Sequence, residues 1–158
     1  MLTHLKLDNF KIWKSTGPIR LAPVTLLLGT NSSGKSSLIQ SLLLIRQTVK
    51  GDDPNVDLNF GNPEANDSVT LGQFKDVLCR QSDTNRLGIE FRWSASGLGT
   101  DSTLFSAQYR AGQSGSAELE SLRLGKDGQG FTVERRKAGI YKLQLANERK
   151  SRGQSADF

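Results

Sequence analysis

Gly29-Thr30-Asn31-Ser32-Ser33-Gly34-Lys35-Ser36 sets two glycines five positions apart and follows the second with a lysine and a hydroxyl. The spacing fits G-x-x-x-x-G-K-[ST], a loop whose backbone N–H groups close around phosphate oxygens. Gly29 and Gly34 admit positive φ and leave room for a phosphate to approach the main chain. Successive N–H groups then form an anion nest, and a helix starting at the loop adds about half a positive charge. Lys35 is placed to reach the β- and γ-phosphates, and the Ser36 hydroxyl to ligate Mg²⁺. Gly29, Thr30, Asn31, Ser32, Ser33, Gly34, Lys35, Ser36 and Ser37 are therefore candidate nucleotide ligands, with ATP and Mg²⁺ as the implied cofactors. A Gly/Ser-rich turn matching by accident is the bland alternative.

Such a loop has to be presented by a strand and received by a helix. Val24-Thr25-Leu26-Leu27-Leu28 reads as a short buried parallel strand. Leu38, Leu42, Ile45 and Val49, with Ile39 and Leu43 beside them, predict an apolar helix face, and Gly51 a stop. The expected fold is α/β (α+β). A P-loop NTPase N-terminal lobe occupies residues 1–50, and an antiparallel β-meander subdomain residues 87–146. Residues 51–86 form an irregular connection and residues 147–158 a polar tail that looks truncated.

The chain has 158 residues, 35% hydrophobic and 23% charged, enough to bury a core. No apolar run approaches the roughly 20 residues that span a bilayer, and residues 1–6 lack a signal-peptide pattern. Cys79 is the single cysteine, which suits a reducing cytoplasm, and a buried small hydrophobe is its simplest reading. The net charge of +5 is uneven: residues 1–50 carry +6 and residues 51–158 carry −1. The excess surrounds the loop, where a polyanion would be drawn.

Leu5 and Leu7 alternate with His4, Lys6 and Asp8, predicting a first strand over 2–10; Ile19-Arg20-Leu21 is a second. Trp13, between Lys11 and Lys14, either lies against an adenine ring or packs at a sheet edge. His4 reads as solvent-facing. Residues 51–69 are rich in turn formers around a short Val56–Phe60 segment, and Leu71–Leu78 reads as a turn entering a short helix. From Leu87 the period is two. Leu87/Ile89/Phe91/Trp93, Phe105/Ala107/Tyr109, Leu122/Leu124, Phe131/Val133 and Tyr141/Leu143/Leu145 predict a meander with one wet face. Turns are expected at 94–100, 112–116, 125–130 and 135–139. Arg135-Arg136-Lys137 then sits on a hairpin tip, solvated or touching nucleic acid.

A hydrolase of this kind also needs an acidic strand end to hold Mg²⁺ and position water. No apolar run ends that way: Leu71 to Asp76 is broken by Gly72, Gln73 and Lys75. Leu7-Asp8-Asn9-Phe10-Lys11-Ile12-Trp13, followed after a gap by Leu28 through Leu38, resembles the start of the ABC/SMC/RecF-like ATPase heads. The likeness is strongest to the AAA-type ATPases of bacterial anti-phage defence and the overcoming-lysogenisation-defect nucleases. It is specific over residues 1–50 and only architectural over residues 70–146. It implies a glutamine that senses the γ-phosphate, for which Gln73 and Gln81 are candidates; Gln73 on this basis, and Lys11 and Trp13 beside it, join the candidate nucleotide ligands. It also implies a signature Ser-Gly-Gly segment and a second acidic strand in a C-terminal half. Ser114-Gly115-Ser116 only echoes the former, between strands.

The expected function is ATP binding, with hydrolysis in the complete dimeric head, controlling a DNA-directed or anti-phage effector. The implied partners are a second ATPase head, an effector protein or nuclease, and DNA, without a membrane. Two alternatives stand beside it: a nucleotide-gated interaction module without turnover, and a nucleic-acid-binding β-domain. The sparse aromatics on the expected sheet disfavour the last.

Overall fold

The computed structural model describes residues 1–53, 55–62, 64, 66–94, 102–126 and 129–147. Alternation of Leu5 and Leu7 with Lys6 and Asp8 makes strand β1 (Leu2–Phe10), buried on one side. Two short strands, β2 (Trp13–Ser15) and β3 (Ile19–Arg20), fold back on β1. The period-two segments form β4 (Arg86–Ser94), β5 (Ser102–Ala111), β6 (Ala117–Lys126), β7 (Gln129–Lys137) and β8 (Ile140–Asn147). All pair antiparallel in one eight-stranded sheet of order β2-β1-β4-β5-β6-β7-β8, with β3 also on β1. The expected turns at 94–100, the centre of 125–130 and the tail from 148 fall wholly or partly outside the described residues.

The registers align two apolar rows across the sheet. Leu5, Phe91, Phe105, Leu124, Phe131 and Leu145 form one; Leu7, Ile89, Ala107, Leu122, Val133 and Leu143 form the other. Over β1, β4 and β5 these rows are covered by helix α1 (Lys35–Lys50), by Leu58 and Phe60, and by the one-turn helix α2 (Phe74–Val77). Towards β8 the rows are bare, and Leu145 is 80% exposed.

The expected α/β lobe is not what forms. The chain is a mostly antiparallel sheet with one long helix, without the strand–helix alternation of a P-loop α/β fold. Val24–Leu28, expected as a buried parallel strand, has no ladder partner among the described residues. Val24, Leu26 and Leu28 are 79%, 78% and 88% exposed, while Leu21 and Leu27 pack against the core. The physical reason is pairing by proximity. β1 is already bonded on one side to β2 and β3 and on the other to β4, so no edge remains there for residues 24–28.

Helix α1 begins and ends where its pattern predicts, but it buries a different face. Leu38 and Leu44 point inward with Ser37, Ser41 and Gln47, whereas Ile39, Leu42 and Val49 are exposed. Hydrogen bonds decide the rotation. The buried Gln47 amide donates to the carbonyls of Asn59 (2.7 Å) and Val69 (3.0 Å) and accepts from the Val69 N–H (3.1 Å). Thr48 Oγ1 accepts from the Asn59 N–H (3.0 Å). These bonds latch the irregular 51–69 stretch to the helix, whose polar groups would otherwise be buried unpaired. Among the described residues no helix is long and apolar enough to cross a membrane.

Gln47→Leu keeps the bulk but strands three backbone groups, each costing about 1–3 kcal/mol when left unpaired. Allowing for partial rescue by water, we expect a loss of about 2–4 kcal/mol, read as a lower urea midpoint at unchanged slope. A change within about 0.5 kcal/mol, the usual range for surface substitutions, would contradict the latch.

Candidate functional site

The end of β1 fixes everything near the glycine-rich loop. Asn9 is buried at φ 60°, and its amide donates to the carbonyls of Thr84 (2.6 Å) and Arg86 (2.7 Å) while accepting from the Cys79 N–H (3.0 Å). Phe10 is fully buried. Lys11 follows at φ 53°, its N–H donating to the Val77 carbonyl (2.7 Å) and its ammonium to the Asp76 carbonyl (3.1 Å). The β1–β2 hairpin tip is thus tied to the 76–86 segment at several points.

The loop rests on that tip. Gly34 has φ +89°, and a Cβ there would lie 2.6 Å from Ile12 Cδ1 and 2.7 Å from the Trp13 ring. Trp13 therefore packs under the start of α1, and its buried indole N–H has no acceptor among the described residues. Gly29, at φ +149°, faces Ser33 Oγ, which a Cβ would approach to 2.8 Å. Gly34 is required by contact as well as by dihedral angle, whereas at Gly29 the Ser33 hydroxyl can rotate away and the dihedral angle alone favours glycine.

Lys35 curls back into the loop. Its ammonium donates to the carbonyls of Gly29 (2.9 Å) and Thr30 (2.5 Å) and to Ser33 Oγ (3.3 Å). Helical bonding starts with the Leu38 N–H donating to the Gly34 carbonyl (3.1 Å). The N–H groups of Lys35, Ser36 and Ser37 are left without an acceptor among the described residues. No side chain caps the helix and its first turn holds no acid. Free donors at a helix start, with an ammonium nearby and no protein anion among the described residues, have the chemistry to accept an external anion. The Ser36 hydroxyl is exposed beside it.

Beside the loop lies a cavity of about 470 Å³ lined by Lys11, Ile12, Ser37, Asp76, Leu78, Cys79, Arg80 and Gln81. Burial holds the Lys11 ammonium below the ordinary lysine range, against the opposing pull of Asp76. Of the two glutamines singled out from sequence, Gln81 shares this cavity with Ser37. Gln73 does not. It caps α2 in a reciprocal arrangement, its N–H donating to Asp76 Oδ2 (2.8 Å), and its side chain lies against Gly115. Ser114-Gly115-Ser116 falls in the β5–β6 connection, where Gln113–Gly115 form a single 3₁₀ turn. Arg135, Arg136 and Lys137, expected on a hairpin tip, all lie at the end of β7; Arg135 pairs with Glu118 at 2.9 Å, while Arg136 and Lys137 are exposed. Sequence reasoning did not bring Asp76, Arg80 and Ser37 together. The signal for it was Asn9, a residue suited to positive φ at a strand end.

No protein-family model matches this chain, and neither a curated protein nor a solved structure matches it.

Gly34→Ala forces a Cβ into Ile12 and Trp13 at a dihedral angle that disfavours it. We expect a loss of about 1–3 kcal/mol. Trp13 emission, read in a Trp93→Phe background, should change with it. Wild-type stability and unaltered emission would contradict this seating of the loop.

Proposed function

We propose that the chain binds Mg²⁺–ATP through Gly29–Ser37 as the nucleotide-binding part of an ATPase of the ABC/SMC/RecF-like kind. Hydrolysis belongs to a paired assembly, and the assembly controls a DNA-directed or anti-phage effector. One observation carries this reading: the N–H groups at the start of α1 have no acceptor among the described residues, and the Lys35 ammonium lies in the same loop on the Gly29 and Thr30 carbonyls, with no acid in the first turn. The triphosphate takes the place the loop carbonyls now give Lys35, and Ser36 offers its hydroxyl to the metal. Lys11 and Gln81, lining the adjoining cavity with Ser37, meet the rest of the nucleotide. The resemblance of residues 1–50 supplies adenine as the base and a second head as the partner.

Turnover within this chain alone is disfavoured. Asp76 is the one carboxylate lining that cavity, and it already accepts the Gln73 N–H at the start of α2. The same fact favours a second reading, a nucleotide-gated interaction module that associates on binding without hydrolysis.

Lys35→Ala removes a charge-assisted contact of about 1.5–3 kcal/mol, so calorimetric titration should show ATP affinity falling roughly tenfold to hundredfold. Superimposable titrations of wild type and variant at saturation would sink the proposal. Ser36→Ala should weaken ATP binding chiefly with Mg²⁺ present and converge with wild type in chelator; a gap that persists in chelator removes the metal role. Single-turnover phosphate release should be negligible. Lys35-dependent release at about 1 s⁻¹ or faster, the usual enzyme range, would place a catalytic acid here, with Asp76 and Asp83 first to test.

A further inference from the structure

The two edges of the described sheet differ. One is divided between β2 and β3, of three and two residues. The other is β8, eight residues long and paired among the described residues with β7 alone. Edge strands are normally blunted by a proline, a bulge, charged side chains or a covering segment. Ile140-Tyr141-Lys142-Leu143-Gln144-Leu145-Ala146-Asn147 holds no proline and a single charge. Its ladder to β7 shifts register only beside the turn, between Arg135 and Lys137. Ile140, Leu143 and Leu145 are 57%, 62% and 80% exposed. The outward backbone groups and the ends of both apolar rows thus meet water along one long, regular strand.

This strand is complementary to itself. Tyr141, Leu143 and Leu145 stand opposite Arg135, Val133 and Phe131, and the two leucines end the apolar rows; Lys142 and Gln144 stand opposite Glu134 and Thr132 on the wet side. Directly opposite residues of an antiparallel pair share a face, so two copies of β8 keep their rows continuous only in registers centred on a residue. Centred on Leu143, that leucine meets its own copy, Tyr141 meets Leu145, and Lys142 meets Gln144. No like charges are opposed, and each of these odd positions finds an apolar side chain. Centring on Lys142 would oppose two ammoniums, and centring on Gln144 would set Tyr141 against Asn147. Charge and apolar matching therefore select one register. Residues 148–158 offer no rival occupant by their sequence, which carries five charges and no apolar alternation.

We propose that a second copy of this chain adds its β8 antiparallel to this edge, centred on Leu143, joining two eight-stranded sheets about a two-fold axis. Isologous pairing uses the long edge of both copies, so the assembly closes at two. The contact goes beyond the ATP reading. It lies at the opposite edge of the sheet from β1 and β2, on which the glycine-rich loop rests, and forms without nucleotide.

The test is sedimentation velocity of the full chain, free of nucleotide, from about 1 to 100 μM, the range suited to a small interface. A monomer–dimer equilibrium is expected within it. Gln144→Lys opposes lysines at two symmetry-related places and should weaken the dimer roughly twofold to thirtyfold. Gln144→Glu, facing Lys142 of the second copy, should strengthen it by a comparable factor. Both changes fall on an exposed side chain, so the opposite signs do not arise from unfolding. In a Cys79→Ala background, Leu143→Cys should cross-link to its own copy on mild oxidation, because directly opposite residues lie within disulfide reach. Tyr141→Cys and Leu145→Cys each stand about 13 Å from their own copies in this register and should not. Lys35→Ala should dimerise as wild type does, which separates this result from the fate of the ATP reading. A monomer throughout the range overturns the proposal. So does growth past the dimer, association that requires ATP and is lost in Lys35→Ala, or cross-linking of Tyr141→Cys or Leu145→Cys in place of Leu143→Cys.

Discussion

Gly34 touches Trp13 and Ile12 so closely that no other residue fits, and the position of α1 depends on that contact. The helix start cannot slide along the β1–β2 hairpin, because any side chain at residue 34 would enter the indole. The hairpin cannot move either. Lys11 binds the Val77 carbonyl, and Asn9 binds Cys79, Thr84 and Arg86. One backbone-to-ring contact and a buried asparagine thus hold the loop, the cavity beside it and the first strand of the meander as a unit. Three of the non-glycine residues at positive φ, Asn9, Lys11 and Ser32, lie there as well. Such concentration in one small region is typical of sites where geometry serves binding.

Apolar burial and polar latching divide the remaining work. The rows through Leu5 and Leu7 are covered where α1, Phe60 and Phe74 sit on β1, β4 and β5, and the transfer of those side chains from water is the main driving term. Yet α1 is oriented by Gln47 and Thr48 rather than by its most apolar stripe. A buried amide satisfied three times outweighs the partial exposure of Ile39, Leu42 and Val49, since leaving it unpaired costs more than those side chains recover. The glycine-rich loop consequently faces outward, beside a helix whose own apolar residues are partly wet.

The sequence pattern carried the strands well. Period two in Leu87–Trp93 and its successors located every strand of the meander, because hairpin pairing is local and one face is buried. It failed at Val24–Leu28. A run of apolar residues states a preference for burial but not the availability of a partner, and β1 had none to give. The helix bounds were legible from spacing and its face was not, since Gln47 finds its partners only when residues 59 and 69 return. For the site, the motif glycines were legible because their dihedral needs are local. The cavity of Lys11, Ser37, Asp76 and Gln81 was hidden, because it is assembled by Asn9 across 70 or more positions.

The central claim is that the unpartnered N–H groups in the first turn of α1 receive a nucleotide's phosphates. Hydrogen–deuterium exchange of the full chain, with and without saturating Mg²⁺–ATP, reads those groups directly. The account predicts slowed exchange confined to Gly29–Leu38 and the adjoining Lys11 tip, and lost in Lys35→Ala. Unchanged exchange across Gly29–Leu38 at saturation, or protection appearing only elsewhere, would contradict it.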